Sequence, residues 1–185
     1  MPDEWCIGVI VGRSGTGKTT IARHVFGDDY CRGFSYKAQS VIDDMLTGVS
    51  MDAVEKTLYS VGFSSVPSWL KPYAVLSEGE KMRCDLARAL LEKDTVVFDE
   101  FTSVVDRTVA KNACIAINNA LHQNSAKKFV AVTCHRDILD WLQPDWVFDT
   151  DAMQGFFGTG PAHRGAMPSG GVEGKSGAVL GVITI

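Results

Sequence analysis

The sequence lacks any apolar segment approaching the 18 residues that a membrane-crossing helix needs. Its first residues, MPDEW, are acidic where a secretory signal requires a basic start. We therefore expect no membrane insertion and a cytoplasmic protein. No internal repeat is visible either, which excludes a repeat architecture.

An excess of basic charge is also missing. Eighteen Lys and Arg side chains stand against twenty-two Asp and Glu side chains, for a formal net charge of −4. No global field attracts nucleic acid, so strong DNA binding by the chain alone is not expected. The cysteines include no CxxC pair and are interpreted as reduced packing residues. They are Cys6, Cys31, Cys84, Cys114 and Cys134.

The remaining composition is typical of one globular domain with a sizeable core: 185 residues, 45% of them hydrophobic. Apolar, β-branched segments alternate with segments of helical periodicity. This alternation predicts an α/β fold with a mostly parallel sheet flanked by helices. Strands are predicted at 5–11, 95–101, 128–135 and 146–149, and helices at 18–26, 77–93, 107–121 and 137–142.

Two regions depart from this alternation. Residues 28–75 hold weakly helical segments separated by glycine and no convincing strand, so they are predicted to be a short helical insertion. Residues 154–185 are rich in glycine and are predicted to be a tail without a packed core. Its last residues, GAVLGVITI, fit an edge strand, a protein-partner segment or a loose terminus equally well.

The segment GRSGTGKT, residues 12–19, matches the phosphate-binding pattern G-x-x-x-x-G-K-[ST] between a predicted strand and a predicted helix. Glycines let backbone N–H groups surround phosphate, and the helix adds its positive end. Lys18 would neutralise β- and γ-phosphate charge, and the Thr19 hydroxyl would ligate Mg²⁺. The nucleotide-contacting set is Gly12, Arg13, Ser14, Gly15, Thr16, Gly17, Lys18, Thr19 and Thr20.

The segment VVFDE supplies acids at the end of a buried strand. An unpaired Asp99 carboxylate would be destabilising at the end of a buried strand. Mg²⁺ beside Thr19 would provide the cation that it needs. Glu100 is then placed to accept a proton from an attacking water. His135, after the next strand, is predicted to contact the γ-phosphate, because ligands bind beyond the carboxyl ends of parallel strands.

The segment LSEGE, residues 76–80, fits a capping box, in which Ser77 and Glu80 satisfy backbone N–H groups at a helix start. A cap alone gives no reason for Gly79, since glycine in a helix costs about 1 kcal/mol relative to alanine. The helix end therefore needs a second explanation.

Taken together, these segments resemble the ATP-binding-cassette (ABC) ATPases. The phosphate loop, LSEGE in place of the LSGGQ signature, VVFDE, TSVVD as the D-loop and TCH as the switch histidine occur in family order over residues 5–149. The segments VPSWLKPY and DEFTSVVDR further resemble a compact, non-transporter branch in bacteria and phages that is sometimes fused to an acetyltransferase. The resemblance makes residues 1–153 an ATPase domain.

The resemblance implies a homodimer held together by ATP and Mg²⁺, in which each signature contacts the γ-phosphate bound by the other subunit. Ser77 and Gly79 would then meet phosphate, which explains the open helix end. Asp106 would reach across the interface toward the water near Glu100. Gln39 is the candidate for the glutamine of the family's Q-loop.

The sequence also departs from the family. Glu78 and Glu80 replace glycine and glutamine, and carboxylates near a triphosphate weaken binding unless they point away or cap the helix. The short interval between Lys18 and Ser77 leaves out the aromatic residue that stacks on adenine. Trp5 is either its substitute or a core residue, and GTP stays open as an alternative to ATP.

Three functions fit these observations. The first is an ATP-hydrolysing switch that dimerises with ATP and separates after hydrolysis. The second is the ATPase subunit of a membrane transporter. The third is a nucleotide-dependent scaffold in DNA maintenance or phage–host conflict, although no coiled-coil arm is present.

Overall fold

The computed structural model describes residues 5–31, 33–123 and 126–157. In these ranges one six-stranded sheet has the order β2-β3-β4-β1-β5-β6. The strands are β1 (Ile7–Val11), β2 (Tyr30–Cys31), β3 (Thr95–Phe98), β4 (Lys128–Thr133), β5 (Trp146–Asp149) and β6 (Gln154–Phe157).

The helices lie between these strands. They are α1 (Lys18–Phe26), α2 (Val41–Met45), α3 (Met51–Ser60), α4 (Val66–Trp69), α5 (Glu78–Glu92), α6 (Arg107–Gln123) and α7 (Ile138–Leu142). Short 3₁₀ turns cover Gly27–Asp29 and Tyr73–Val75. Of the described ranges, no helix combines the length and apolarity that a bilayer crossing needs.

The predicted α/β architecture is confirmed. β1 pairs in parallel with β4 and β5, β3 pairs in parallel with β2 and β4, and only β6 runs antiparallel, against β5. Parallel strands place their carboxyl ends at one edge of the sheet. The phosphate loop, the two acids and His135 follow β1, β3 and β4, so the topology gathers them at that edge.

Both faces of the sheet are buried, which explains why its strands are continuously apolar. Along β1, Val9 and Val11 join the core cluster that also contains Leu58, Leu86 and Ile117 of the helices. Ile10 points to the opposite cluster, with Ala22 of α1 and Trp146. The sheet is therefore covered by α1 on one face and by α3, α5 and α6 on the other.

The predicted insertion 28–75 contains α2, α3 and α4, and α3 contacts α5 and α6. One expectation for it was wrong: Tyr30–Cys31 form a strand beside β3. Two residues are too few to show strand periodicity, so only the pairing reveals them.

The predicted tail begins with a strand, since β6 occupies its first four residues. The remainder, including the apolar segment GAVLGVITI, lies outside the described residues, so the boundary at residue 153 stays a prediction.

All five cysteines are free thiols, and Cys84 and Cys114 are buried as packing residues. Burial raises the pKa of each of these two thiols to about 12. Cys134 is exposed, so the packing interpretation was wrong for that residue.

Candidate nucleotide site

The phosphate loop connects β1 to α1 and contains the left-handed residues Gly15 (φ 83°) and Gly17 (φ 86°). Side-chain-bearing residues rarely adopt this conformation, which glycine adopts at no steric cost. Gly12 is required for a different reason: a Cβ there would lie 2.1 Å from the Thr150 Oγ1. The glycine pattern recognised in the sequence thus corresponds to real steric requirements.

Hydrogen bonds inside the loop fix its shape. The Lys18 ammonium donates to the Arg13 carbonyl at 2.8 Å, and the residue as a whole is only 8% exposed. The Thr16 hydroxyl donates to the same carbonyl at 2.8 Å, and its Oγ1 lies 2.6 Å from the Thr150 Oγ1. Thr150 in turn donates to the Val11 carbonyl at 3.2 Å. Two side chains of the loop thus converge on the Arg13 carbonyl, and Thr16 connects the loop to Thr150.

Several backbone donors of the loop are free. Among the described residues, the N–H groups of Ser14, Gly15 and Gly17 donate no hydrogen bond to another group of the chain. The first N–H groups of α1 are also unsatisfied within the helix, as at every helix start. A phosphate group is the ligand that would satisfy such a set of donors.

An ion-pair network supports the loop from β5. Asp151 accepts from the Arg13 backbone N–H at 3.2 Å and from the Arg13 Nε at 3.1 Å. Arg136 bridges Asp149 at 2.8 Å and Asp151 at 3.0 Å. The Arg136 guanidinium lowers the pKa of Asp149, and the hydrogen bond from Arg13 is the largest cause of the lowered pKa of Asp151. Sequence patterns gave no sign of this network.

The magnesium-binding residues predicted from sequence meet in the structure. The Thr19 hydroxyl donates to the Asp99 Oδ2 at 2.8 Å, although 80 residues separate them along the chain. The Tyr30 hydroxyl donates to the same oxygen. The Asp99 Oδ1 accepts the Glu100 backbone N–H at 2.9 Å. Both carboxylate oxygens thus have donors.

This donor set fits Mg²⁺. The ion prefers hard oxygen ligands and is held by one or two protein groups together with substrate phosphates. Thr19 and Asp99 provide that pair beside the phosphate loop. Within residues 5–31, 33–123 and 126–157, no group of three His, Cys, Asp or Glu side chains forms an all-protein metal cage.

The segment after β3 holds Glu100 in an unusual backbone conformation. Glu100 has φ 50° and Thr102 has φ 68°. Such left-handed conformations cost about 1–2 kcal/mol per ordinary residue. The segment is tied to β4, since the Phe101 N–H donates to the Val132 carbonyl and the Thr133 hydroxyl donates to the Phe101 carbonyl, both at 2.9 Å. The Glu100 carboxylate is exposed and accepts the Ser103 hydroxyl at 2.6 Å.

His135 follows β4, the strand next to β3 and β1. Its backbone N–H donates to the Thr133 Oγ1 at 3.1 Å, while its half-buried imidazole makes no hydrogen bond within the described part of the chain. The histidine is therefore at the predicted sheet edge with a free side chain.

The signature segment starts α5 with a complete capping box. The Ser77 backbone N–H donates to the Glu80 Oε2 at 2.9 Å, and the Glu80 N–H donates to the Ser77 Oγ at 3.4 Å. The N–H groups of Glu78 and Gly79 donate to no group among the described residues. Two donors at this helix start thus remain free for an anion.

The two acids of the signature have partners inside the chain. The Glu80 carboxylate also accepts the Ser68 hydroxyl at 2.6 Å and the Ser77 hydroxyl at 2.9 Å. These hydrogen bonds, led by that of Ser68, lower the pKa of Glu80 to about 2. Glu78 pairs with Lys81 at 2.8 Å. Glu80 therefore caps the helix, one of the two arrangements under which a carboxylate is tolerated there.

Gly79 lies against the first turn of α6, which follows the D-loop. A Cβ on Gly79 would be 3.3 Å from the Val109 Cγ1, which is tighter than ordinary packing. Val109 and Thr108 donate their backbone N–H groups to the Asp106 Oδ1 at 3.0 and 2.9 Å. Close packing of α5 on α6 is thus one reason for the glycine, independent of any ligand.

The sequence matches no protein-family model and no curated protein. Solved structures do resemble the fold. The dimeric structure of MJ0796, a bacterial ABC transporter cassette, has a TM-score of 0.61 at 15% identity, with 77% of this chain and 80% of that chain covered. The structure of cbiO1 from Clostridium perfringens, part of the ABC transporter complex cbiONQ, has a TM-score of 0.61 at 19% identity, with 77% and 72% covered.

This is the ABC ATPase cassette fold. A bacterial Atm1-family ABC exporter with ATP bound also matches, with a TM-score of 0.59 at 18% identity, 78% of this chain and 32% of that chain. The chain thus spans about a third of the exporter's length.

Within the cassette, the predicted site residues form two groups. The phosphate loop, Thr19 and Asp99 make up one, and Ser77, Gly79 and Asp106 make up the other. Among the described residues, no hydrogen bond or ion pair joins the two groups. Gln39 is exposed and makes no hydrogen bond to either.

Trp5 is half-buried and packs against the core of the cassette. Its ring lies 5.5 Å from the Trp146 ring in an edge-to-face arrangement, with the Lys128 ammonium 5.0 Å from the Trp5 ring centroid. The core alternative is therefore the one that the structure supports.

Proposed function

We propose that the chain is an ATPase that binds ATP with Mg²⁺, dimerises head to tail through the nucleotide and separates after hydrolysis. The observation that carries this proposal is the Thr19–Asp99 contact beside a loop with free N–H donors and a buried lysine. The cassette fold of the structural neighbours, one of them dimeric and one with ATP bound, supports it.

Each residue has a distinct role in this proposal. Loop N–H groups and the Lys18 ammonium bind the phosphates, and Lys18 exchanges its Arg13 carbonyl for phosphate oxygen. Thr19 and Asp99 would hold Mg²⁺, which would supply charge stabilisation to the phosphates. Glu100 accepts a proton from water, and His135 contacts the γ-phosphate.

The second subunit completes the pocket. The free N–H groups of Glu78 and Gly79 and the Ser77 hydroxyl face the γ-phosphate of the partner, and Asp106 helps to position water. Because no hydrogen bond or ion pair joins the two groups within the described residues of one chain, the proposed pocket takes one group from each subunit. A cytoplasmic location and a protein partner for residues 154–185 remain proposals on the sequence grounds given above.

The test is the solution size of Glu100→Gln with and without ATP and Mg²⁺. The substitution removes the proton acceptor but keeps the shape of the side chain, so an ATP- and Mg²⁺-dependent dimer is expected. ATP turnover should fall at least about a hundredfold, the lower range for a general base. Equal turnover in wild type and variant would contradict the role of Glu100 as the proton acceptor.

A transporter subunit is the second candidate, because the neighbouring cassettes belong to transporters. Co-purification of the tagged chain with a polytopic membrane protein would favour this function. A chain that dimerises and hydrolyses ATP alone, and brings down no such protein, would favour the switch.

A further inference from the structure

Tyr30 has no counterpart among the motif residues, yet it contacts the magnesium-binding carboxylate. It lies on the edge strand β2, where pairing places Tyr30 beside Val97 and Cys31 beside Phe98, the residue before Asp99. This register brings the tyrosine hydroxyl to the Asp99 Oδ2, where it donates a hydrogen bond. That oxygen is the one that also accepts the Thr19 hydroxyl.

The tyrosine ring is fixed in place. Tyr30 is 6% exposed and belongs to the core cluster beneath α1. The Arg23 guanidinium lies 4.8 Å from the ring centroid, and its NH2 group donates to the Tyr30 hydroxyl at 3.5 Å. The buried ring, with a cation over one face, directs its hydroxyl to Asp99.

Asp99 has room to turn in the absence of this donor. A cavity of about 400 Å³ adjoins the carboxylate and is lined in part by Arg23, Tyr30, Asp99 and Glu100. A rotation of the Asp99 side chain into that space would break the hydrogen bond between the Thr19 hydroxyl and Oδ2. The hydrogen bond from the Tyr30 hydroxyl opposes this rotation, because it holds the Asp99 Oδ2 beside Thr19.

We infer that Tyr30 is a positioning residue for the magnesium site. Its hydroxyl holds the Asp99 carboxylate against Thr19, so that the Asp99 Oδ2 and the Thr19 hydroxyl oxygen lie side by side for the ion. The inference rests on the proposed nucleotide function. Hydrogen-bonding partners of metal-ligating carboxylates commonly contribute about 10–100-fold to metal affinity.

The test is ADP binding to Tyr30→Phe, measured by calorimetry over a series of Mg²⁺ concentrations and in EDTA. Phenylalanine keeps the buried ring and removes only the hydroxyl. We expect the Mg²⁺ concentration for half-maximal enhancement of ADP binding to rise about tenfold or more. The metal-independent Kd for ADP in EDTA should stay unchanged.

Tyr59→Phe is the matched control, because Tyr59 is an exposed tyrosine far along the chain from the site. It should titrate with Mg²⁺ as the wild type does. An unchanged or lower Mg²⁺ requirement in Tyr30→Phe would overturn the inference. A weakened Kd in EDTA without a change in Mg²⁺ requirement would overturn it as well, since the defect would then lie in the loop.

Failure of the proposed function gives a different result: the wild type binds no ADP. The contact itself is then tested by a double-mutant cycle of Tyr30→Phe and Asp99→Asn in urea unfolding. Non-additive effects show that the hydroxyl fixes the carboxylate even without nucleotide. Additive effects would overturn the positioning role.

Discussion

Gly8 shows how tightly single atoms are constrained behind the phosphate loop. An added Cβ at this position of β1 would lie 2.1 Å from the Trp146 Cζ2 and 2.2 Å from its Cε2. The indole fills the space that the glycine leaves and stacks on Phe26 of α1 at 6.3 Å. Glycine in β1 is therefore a packing requirement for the strand that leads into the loop.

Gly8→Ala is expected to lower the free energy of unfolding by about 1–3 kcal/mol, the usual cost of overpacking a core. Urea denaturation measures it. The matched control is Gly155→Ala on β6, where a Cβ would meet the Phe148 Cδ2 at an ordinary 3.8 Å. Similar losses in both variants would contradict the steric argument.

At the residue scale, the proximity of Thr19 and Asp99 was predictable, because each belongs to a motif with a fixed place at the carboxyl end of a strand. Tyr30 and Asp151 were not. A single tyrosine or aspartate has no pattern of its own, and each reaches the site through strand pairing that the sequence does not display. Such supporting residues become visible only with the sheet order.

The capping box of α5 is the clearest element-scale feature. Glu80 accepts hydrogen bonds from Ser68 and Ser77, and these lower its pKa from 4.5 to about 2. A carboxylate with a lowered folded-state pKa contributes stability that is present above its unfolded pKa and is lost as pH falls toward the folded value. The window therefore lies between pH 4.5 and about 2.

Glu80→Gln should consequently lose less stability than the wild type as the pH falls through this window. Urea denaturation at several pH values measures the difference in slope. Glu78→Gln is the matched control from the same helical turn, because Glu78 makes only an exposed pair with Lys81, and such pairs contribute little. Identical slopes for Glu80→Gln and the wild type would contradict the prediction.

The same substitution has an expected effect on dimerisation. The Ser77 hydroxyl donates to the Glu80 carboxylate, and that carboxylate would also repel a partner's triphosphate. In the Glu100→Gln background, Glu80→Gln should lower the ATP concentration for half-maximal dimerisation by on the order of fivefold, equivalent to about 1 kcal/mol. Light scattering during ATP titration measures it, and a higher ATP requirement would show that the cap matters more than the charge.

At the element scale, sequence periodicity predicted α1, α5 and α6 well, because each is long and has apolar residues at helical spacing; α5 also begins with a capping box. β2 and β6 escaped prediction. β2 has two residues, and β6 alternates between exposed and half-buried positions in a segment whose glycine content indicated a tail. Their strand character comes from the neighbouring strand, not from their own residues.

At the scale of the whole molecule, the division of the site residues into two groups predicts the ATP turnover of mixed dimers. In a mixture of Lys18→Ala and Ser77→Arg chains, each mixed dimer has one pocket with both defects and one pocket with neither. ATP turnover should therefore recover above that of either variant alone, toward about a quarter of the wild-type rate at equal mixing. A mixture no more active than the separate variants would contradict shared pockets.

Hydrogen bonds within the chain hold the phosphate loop in one shape. The Lys18 ammonium and the Thr16 hydroxyl both donate to the Arg13 carbonyl. Under the proposed function, nucleotide would replace the Arg13 carbonyl with phosphate oxygen as the partner of Lys18, in a loop that is already ordered. Association should accordingly be fast, with a small change in heat capacity, and the cost of ordering should appear only when two subunits meet.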